Sequence, residues 1–165
     1  IDYNYSIPDF QPKDKIKKKK NNSTTYKAKN KRASQDSKAI GKSGENYVYE
    51  FEIRKLKKMN RKDLAEKVYN HDENRDYPGW DITSYDESGK EIFIEVKSAR
   101  KSKTVFNITA HEWEAAKKEG DKYFIYIVEN ALTNKIKIVG RIKNPLKYAE
   151  NKKIEVNVSQ YEIRL

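Results

Sequence analysis

The chain has 165 residues with 36 Lys and Arg against 25 Asp and Glu, for a net charge of +11; 36% of it is hydrophobic and 37% charged. Globular chains average about 45–50% apolar and about 25% charged residues, so this is a polar, basic chain of single-domain length. With no cysteine and two histidines it excludes disulfides, thiolate metal sites and Cys nucleophiles, and any metal is expected on carboxylates.

Residues 1–38 carry 11 Lys and Arg and 4 Asp and Glu, a surplus of +7 that leaves +4 for the remainder. This segment includes Lys17-Lys18-Lys19-Lys20 followed by Asn21-Asn22-Ser23-Thr24-Thr25, and shows no apolar period beyond Ile1 to Tyr5. We divide the chain into a basic, largely extended or disordered arm over 1–38 and a domain over 39–165. The stretch from about 10 to 38 cannot bury enough apolar surface to offset its chain entropy. Such an arm either holds phosphates by counterion release or is a solvated linker to a preceding domain. The start at Ile1 rather than Met fits either the tail of a larger protein or a trimmed chain. Tyr3, Tyr5 and Tyr26 either stack on exposed bases or dock the arm on a domain.

From Ala39 the spacing of Ile40, Gly44, Tyr47, Val48, Phe51 and Leu56 predicts a helix of about 20 residues, with Asp36 and Ser37 as caps. Arg61 to Glu66 is expected as a short second helix. Strands follow at Trp80 to Tyr85 and Glu91 to Lys97. Asp86-Glu87-Ser88-Gly89-Lys90 fits a three-residue hairpin loop with Gly89 in the left-handed position of a G1 bulge. That loop sets Ile82 opposite Ile94, Ser84 opposite Ile92 and Trp80 opposite Val96, which gathers the apolar residues on one face. Thr104 to Ile108 is expected as a third strand. Thr109 to Glu112 reads as a capping box opening a helix that Gly120 ends. Tyr123 to Val128 is continuously apolar, as expected of a central strand covered on both faces; no run is near the ~20 residues of a membrane span. Ile136, Ile138 and Ile142 mark a further strand, Pro145 breaks the chain, and Ile154, Val156 and Val158 suggest a last edge strand. This order predicts an α/β (α+β-like) fold, a mixed central sheet flanked by helices.

The same register carries chemistry. With Ile92, Ile94 and Val96 turned to the core, Glu95 and Lys97 point the other way, and Asp81 falls opposite Glu95. Two carboxylates about 4–5 Å apart at Cβ repel unless a cation lies between them. A hard divalent ion suits them, and it polarises phosphoryl oxygens and acidifies bound water. Lys97 is placed to orient or deprotonate that water, or to stabilise developing charge. The plain alternative is a solvated surface strand with a weak Glu–Lys pair worth under about 1 kcal/mol.

Gly79-Trp80-Asp81-Ile82 followed by Glu95-Val96-Lys97-Ser98 resembles the PD-(D/E)xK core of restriction-endonuclease-like nucleases. The ordered blocks Gly41-Lys42-Ser43-Gly44-Glu45, Gly-Trp-Asp-Ile, Ile94 to Ser98, Phe106-x-x-Thr109-x-x-Glu112 and Tyr123-x-x-Tyr126-x-Val128 resemble the protein NO VEIN C-terminal domain family over about residues 40–148. The resemblance implies a PD-(D/E)xK nuclease-like fold, often at the C-terminal end of larger proteins, including bacterial restriction or defence proteins. It implies Asp81 and Glu95 as metal ligands, Lys97 as the catalytic lysine, and Glu45 as an additional acid of the site. It also places the carbonyl of Val96 within reach of the metal. Trp80 stands where the wider superfamily has Pro, and His111 where a polar residue such as Asn is expected.

Ser98, Arg100, Lys101 and Lys103, with Lys42, are natural phosphate contacts beside such a centre or plain loop cations. Gly41 and Gly44 lack the Walker A spacing and are better explained by a tight helix entry or by close packing against the sheet. His111 is either a proton shuttle or a first-turn surface residue, and His71 lies near the end of a strand with no role assigned. Trp80 and Trp113 are expected in the core. The expectation is Mg²⁺-dependent hydrolysis (Mn²⁺ serving in vitro) of a nucleic-acid phosphodiester, with DNA favoured over RNA. The domain is expected to be cytoplasmic, without a membrane partner, in a larger chain or complex or as a homodimer. The rival is an inactive module of the same fold that binds nucleic acid or a protein.

Overall fold

The computed structural model describes residues 5–11, 31–102 and 105–157. A long helix α1 (Lys31–Lys58) leads to the single-turn α2 (Lys62–Ala65), the short strand β1 (Tyr69–Asn70) and α3 (His71–Asn74). Strands β2 (Ile82–Tyr85) and β3 (Glu91–Ser98), helix α4 (Ala110–Glu119), strands β4 (Tyr123–Glu129) and β5 (Lys137–Lys143), and helix α5 (Pro145–Glu150) follow. The five strands form one sheet in sequence order, with β3 and β4 parallel and the other pairs antiparallel. Helix α4 makes the β3-to-β4 crossover that a parallel pair requires.

The alternation of β3 builds both layers. Ile92, Ile94 and Val96 join Val48 and Leu56 of α1, Ile82 of β2, and Phe124, Tyr126 and Val128 of β4 in the main core. Phe93, on the opposite face, packs with Ala115, Ala116 and Tyr123 beneath α4. A strand covered on both faces in this way puts its remaining side chains, Glu95 and Lys97, under a helix rather than in water.

The hairpin register is as expected. Ile82 pairs with Ile94 and Ser84 with Ile92, Asp86 N–H donates to the Lys90 carbonyl at 2.9 Å, and Gly89 has φ +85°. The capping box of α4 is complete, with Thr109 and Glu112 exchanging side-chain-to-backbone bonds.

Five expectations need correction. Helix α1 begins at Lys31 rather than Ala39, so Asp36 and Ser37 lie within it; residues 31–38 hold neither Pro nor Gly to stop it. Strand β2 begins at Ile82, and Trp80 does not share its face: the indole stacks on Phe93 at 4.2 Å beneath α4. The turn at Gly79 (φ +107°) resets the alternation there. Residues 105–108 of the proposed third strand are not in a strand, because β2 and β4 already occupy both edges of β3; Thr104 lies outside the described residues. Ile154 and Val156 are likewise outside any strand, and Val158 lies beyond the described residues. The free edge of β5 is taken instead by the amino-terminal segment, where Arg141 N–H donates to the Pro8 carbonyl at 3.0 Å and Phe10 N–H to the Arg141 carbonyl at 2.8 Å. Pro145 does not only break the chain but opens α5 behind the Asn144 cap, a position where its missing N–H costs nothing.

Candidate functional site: a buried acidic cluster around one lysine

Asp81 stands one residue before β2 and is tied to β3 by main chain and side chain together. Its N–H donates to the Ile94 carbonyl at 3.0 Å, and its Oδ2 accepts the Val96 N–H at 2.7 Å. Its carbonyl accepts the His71 N–H at 2.8 Å. The Asp81 carboxylate therefore sits over β3 next to Glu95, whose side chain is only 5% exposed.

Lys97, two residues along the same face, donates to Glu95 Oε1 at 2.7 Å and to Glu112 Oε2 at 2.8 Å. Glu112 belongs to α4 and uses the same Oε2 to accept the Thr109 N–H at 3.0 Å. Sequence reasoning treated Glu112 as a cap and left it out of the site. The paired reading, a cap whose outer lone pairs face β3, was available in the spacing of Thr109 and Glu112, but the partner lysine was visible only once α4 was laid on the sheet.

Glu45 approaches from α1. Gly44 lets the helix down onto the sheet: a Cβ there would lie 1.7 Å from Ser98 Oγ and 3.5 Å from Val96 Cγ1. Close packing is thus the role of this glycine. Glu45 Oε2 is buried without a hydrogen-bond partner.

The electrostatics follow from burial. Burial, then the Asp81 charge, pushes the Glu95 carboxyl up to about 8 against the pull of Lys97. Burial pushes Asp81 up to about 6 despite the Val96 N–H. Burial and then Asp81 push Glu45 up to about 7. These carboxyls titrate as a set. For Lys97, burial favours the neutral amine, but Glu95 and Glu112 outweigh it and hold the ammonium above its usual range. Glu95 and Glu112 thus bond Lys97 directly and Asp81 feels its charge, while Glu45 meets the cluster through Asp81. Below them Tyr123 donates to the Gly79 carbonyl at 2.8 Å, its phenol held protonated by burial.

Other expected contacts are placed differently. Lys42 pairs with Asp72 at 3.1 Å and Glu73 at 3.7 Å. Ser98 faces Gly44, with its Oγ buried and without a partner, so it is turned away from the exposed loop cations. Arg100 and Lys101 are exposed, and Arg100 lies 3.6 Å from Asp36. Lys103 lies outside the described residues. His111 donates from Nε2 to the Tyr77 carbonyl at 2.9 Å. With Pro78, Trp80 and Ala115 it lines a cleft of about 430 Å³, whose described lining includes none of the clustered acids. His71 is buried: its Nδ1 is 3.2 Å from Asp76 Oδ2, and its Nε2 is 2.8 Å from Thr83 Oγ1, which also accepts the Trp80 indole N–H at 3.0 Å.

The donors are all oxygens, as a hard divalent cation requires, and the orphaned Glu45 oxygen and the surplus of buried acid over lysine both fit such an ion. Among the described residues no three His, Cys, Asp or Glu side chains already converge as a metal cage. Also among the described residues, no helix is long and apolar enough to cross a membrane.

Comparison with curated proteins and with solved structures gives no match. The family model described as Protein NO VEIN, C-terminal matches residues 44–140. That span runs from the glycine that seats α1 into β5 and covers more than half of the chain, so the protein belongs to the NO VEIN C-terminal family.

Proposed function

We propose that this domain hydrolyses a nucleic-acid phosphodiester, DNA in the first instance, with a divalent cation, Mg²⁺ in function and Mn²⁺ in vitro, in the manner of PD-(D/E)xK nucleases. The observation that carries the reading is the pairing of Asp81 with the buried Glu95 on the strand that presents Lys97, with Glu45 near enough for the Asp81 charge to act on it as well. Asp81 and Glu95 would hold the ion, with the Val96 carbonyl and Glu45 completing its surroundings. The ion would supply charge neutralisation at the phosphoryl group and acidification of a water.

The chain's own groups have distinct tasks. Asp81 is fixed by the Val96 N–H, which keeps one carboxylate oxygen committed and the other available. Lys97 is held as an ammonium by Glu95 and Glu112, so it acts as a hydrogen-bond donor that orients the attacking water and steadies negative charge, not as the base. Glu112 fixes the direction of that ammonium. Arg100, Lys101 and Lys103 would grip the phosphates of the strand, and Lys42 would do so once released from Asp72. In-line attack would leave a 5′-phosphate. Two domains would be needed for paired cuts on a duplex, through homodimerisation or within a larger restriction or defence complex.

A second reading has one observation in its favour. Lys97 already occupies Glu95 Oε1 and no cage is preformed among the described residues, as suits a module that binds nucleic acid without cutting it. Cleavage of duplex DNA, single-stranded DNA and RNA in Mg²⁺, Mn²⁺ and EDTA separates the two. We expect metal-dependent cutting that falls by at least about 10²-fold in Glu95→Ala and Lys97→Ala. Cutting that persists in EDTA or in both variants, or its absence on every substrate, defeats the nuclease reading.

A further inference from the structure

A cavity of about 290 Å³ lies on the side of α1 away from the acids. Tyr5 and Ile7 of the amino-terminal segment form one wall, Tyr47, Phe51 and Arg54 of α1 a second, and Lys137 of β5 a third. Positions 47, 51 and 54 follow one face of the helix. Tyr47 stands about 200° around the axis from Glu45, and β4 separates β5 from β3. The cavity is thus separate from the acidic cluster.

Its chemistry is one-sided. Three aromatic rings meet there, with Tyr5 5.4 Å from Phe51. Arg54 and Lys137 are exposed and have no ion-pair partner among the described residues, and among those residues no carboxylate lines the cavity. The Lys58 ammonium lies 5.3 Å from the Tyr5 ring on the same side. Arg54 and Lys137, without an ion-pair partner among the described residues, stand at the mouth of an aromatic cleft and match a ligand with a flat ring and an anion. Guanidinium pairs with phosphate bidentately, and bases stack on aromatic faces. The volume is near the lower end of small-molecule clefts (about 300–1,000 Å³), which suits one base with its phosphate at the rim.

We propose that this cavity binds a nucleotide, its base on the Tyr5–Tyr47–Phe51 wall and its phosphate on Arg54 and Lys137. The nucleotide is either free in solution or one unit of a single strand. The full chain is titrated calorimetrically with AMP, adenosine, inorganic phosphate and a short oligo-dA strand, and the titrations are repeated with Arg54→Ala, Lys137→Ala and Glu95→Gln. We expect AMP, the strand or both to bind more tightly than adenosine or phosphate, with about tenfold loss for each removed cation and AMP binding unchanged in Glu95→Gln. Strand binding that weakens in Arg54→Ala and Lys137→Ala, without AMP binding, identifies the polymer as the source, and AMP binding identifies a free nucleotide; both uphold the site. The proposal is overturned if neither binds at about 1 mM, if phosphate alone binds as well as AMP, or if the Arg54 and Lys137 variants bind like the wild type. Both variants alter exposed side chains, so the fold survives the test. Because the acid-site variant is read separately, loss of this site and loss of the nuclease reading give different results.

Discussion

At Lys97 the two opposing effects have a clear winner. Burial disfavours its charge, yet two carboxylates within 2.8 Å hold it protonated. Removing one partner of a buried ion pair typically costs about 3–5 kcal/mol because the other charge is left uncompensated. Lys97→Ala should therefore lower the melting temperature at neutral pH, and Glu95→Gln, which relieves repulsion with Asp81, should not. Equal losses for both would mean that the cluster is not acid-rich. The pH dependence follows from the same residues. Glu45, Asp81 and Glu95 have carboxyls raised to about 7, about 6 and about 8, so between the ordinary carboxyl range near 4 and about 8 the folded state binds more protons than the unfolded one. Stability then falls as pH rises through that window. In EDTA the melting temperature should drop between pH 5 and 8, and a divalent cation should remove most of the drop while binding more tightly at the higher pH. A flat profile in EDTA would contradict the raised values. The Asp81–Glu95–Lys97 grouping was legible in the sequence because a hairpin of known loop length fixes a register. Glu112 was not, because its partner is 15 residues away on another element.

At the level of elements, the position of the site depends on how closely α1 can approach β3. Gly44→Ala gains about 1 kcal/mol of helix propensity but drives a methyl group to 1.7 Å from Ser98 Oγ. Overpacking of this kind costs about 1–3 kcal/mol, and the helix must lift, carrying Glu45 with it. Urea unfolding should show net destabilisation, partly restored by Ser98→Gly; a neutral Gly44→Ala would show that the helix does not bear on the strand there. Helix α4 links stability and site in a second way. Thr109→Ala removes the cap and should cost about 1 kcal/mol, while freeing Glu112 from its anchor. The capping box was readable from four residues. The strand expected near Thr104 was misjudged because alternation reports the shape of a segment, not whether a strand edge is open to receive it.

For the whole molecule, the basic surplus and the acidic site are separate features. The net charge of +11 favours polyanions, and nucleic-acid affinity should fall steeply between 50 and 200 mM salt, by a slope that counts the phosphate contacts; a flat response would leave the protein-binding alternative. The amino-terminal segment adds more than charge. Ile7 is in the main core, Asp9 pairs with Arg141 at 2.9 Å, and the backbone covers the outer edge of β5. A protected edge suppresses intermolecular strand pairing. Ile7→Ala should cost about 2–5 kcal/mol and increase aggregation on heating, as light scattering would show; an unchanged melting temperature would mean that the segment is dispensable. Tyr5 is thereby docked against Phe51, whereas Tyr3 and Tyr26 lie outside the described residues.

The sequence by itself determined the hairpin register, the capping box, the doubly covered central strand, and the face of β3 that carries Glu95 and Lys97. Each rests on short-range geometry: a loop of fixed length, a turn of helix, an alternation of two. Only the tertiary structure decided that α1 begins at Lys31, that Trp80 turns to the face under α4, that Glu112 completes the lysine's surroundings, and that residues 5–11 close the sheet. Those outcomes depend on which surfaces were left uncovered once the sheet had formed, and that is a property of the assembled layers rather than of any segment.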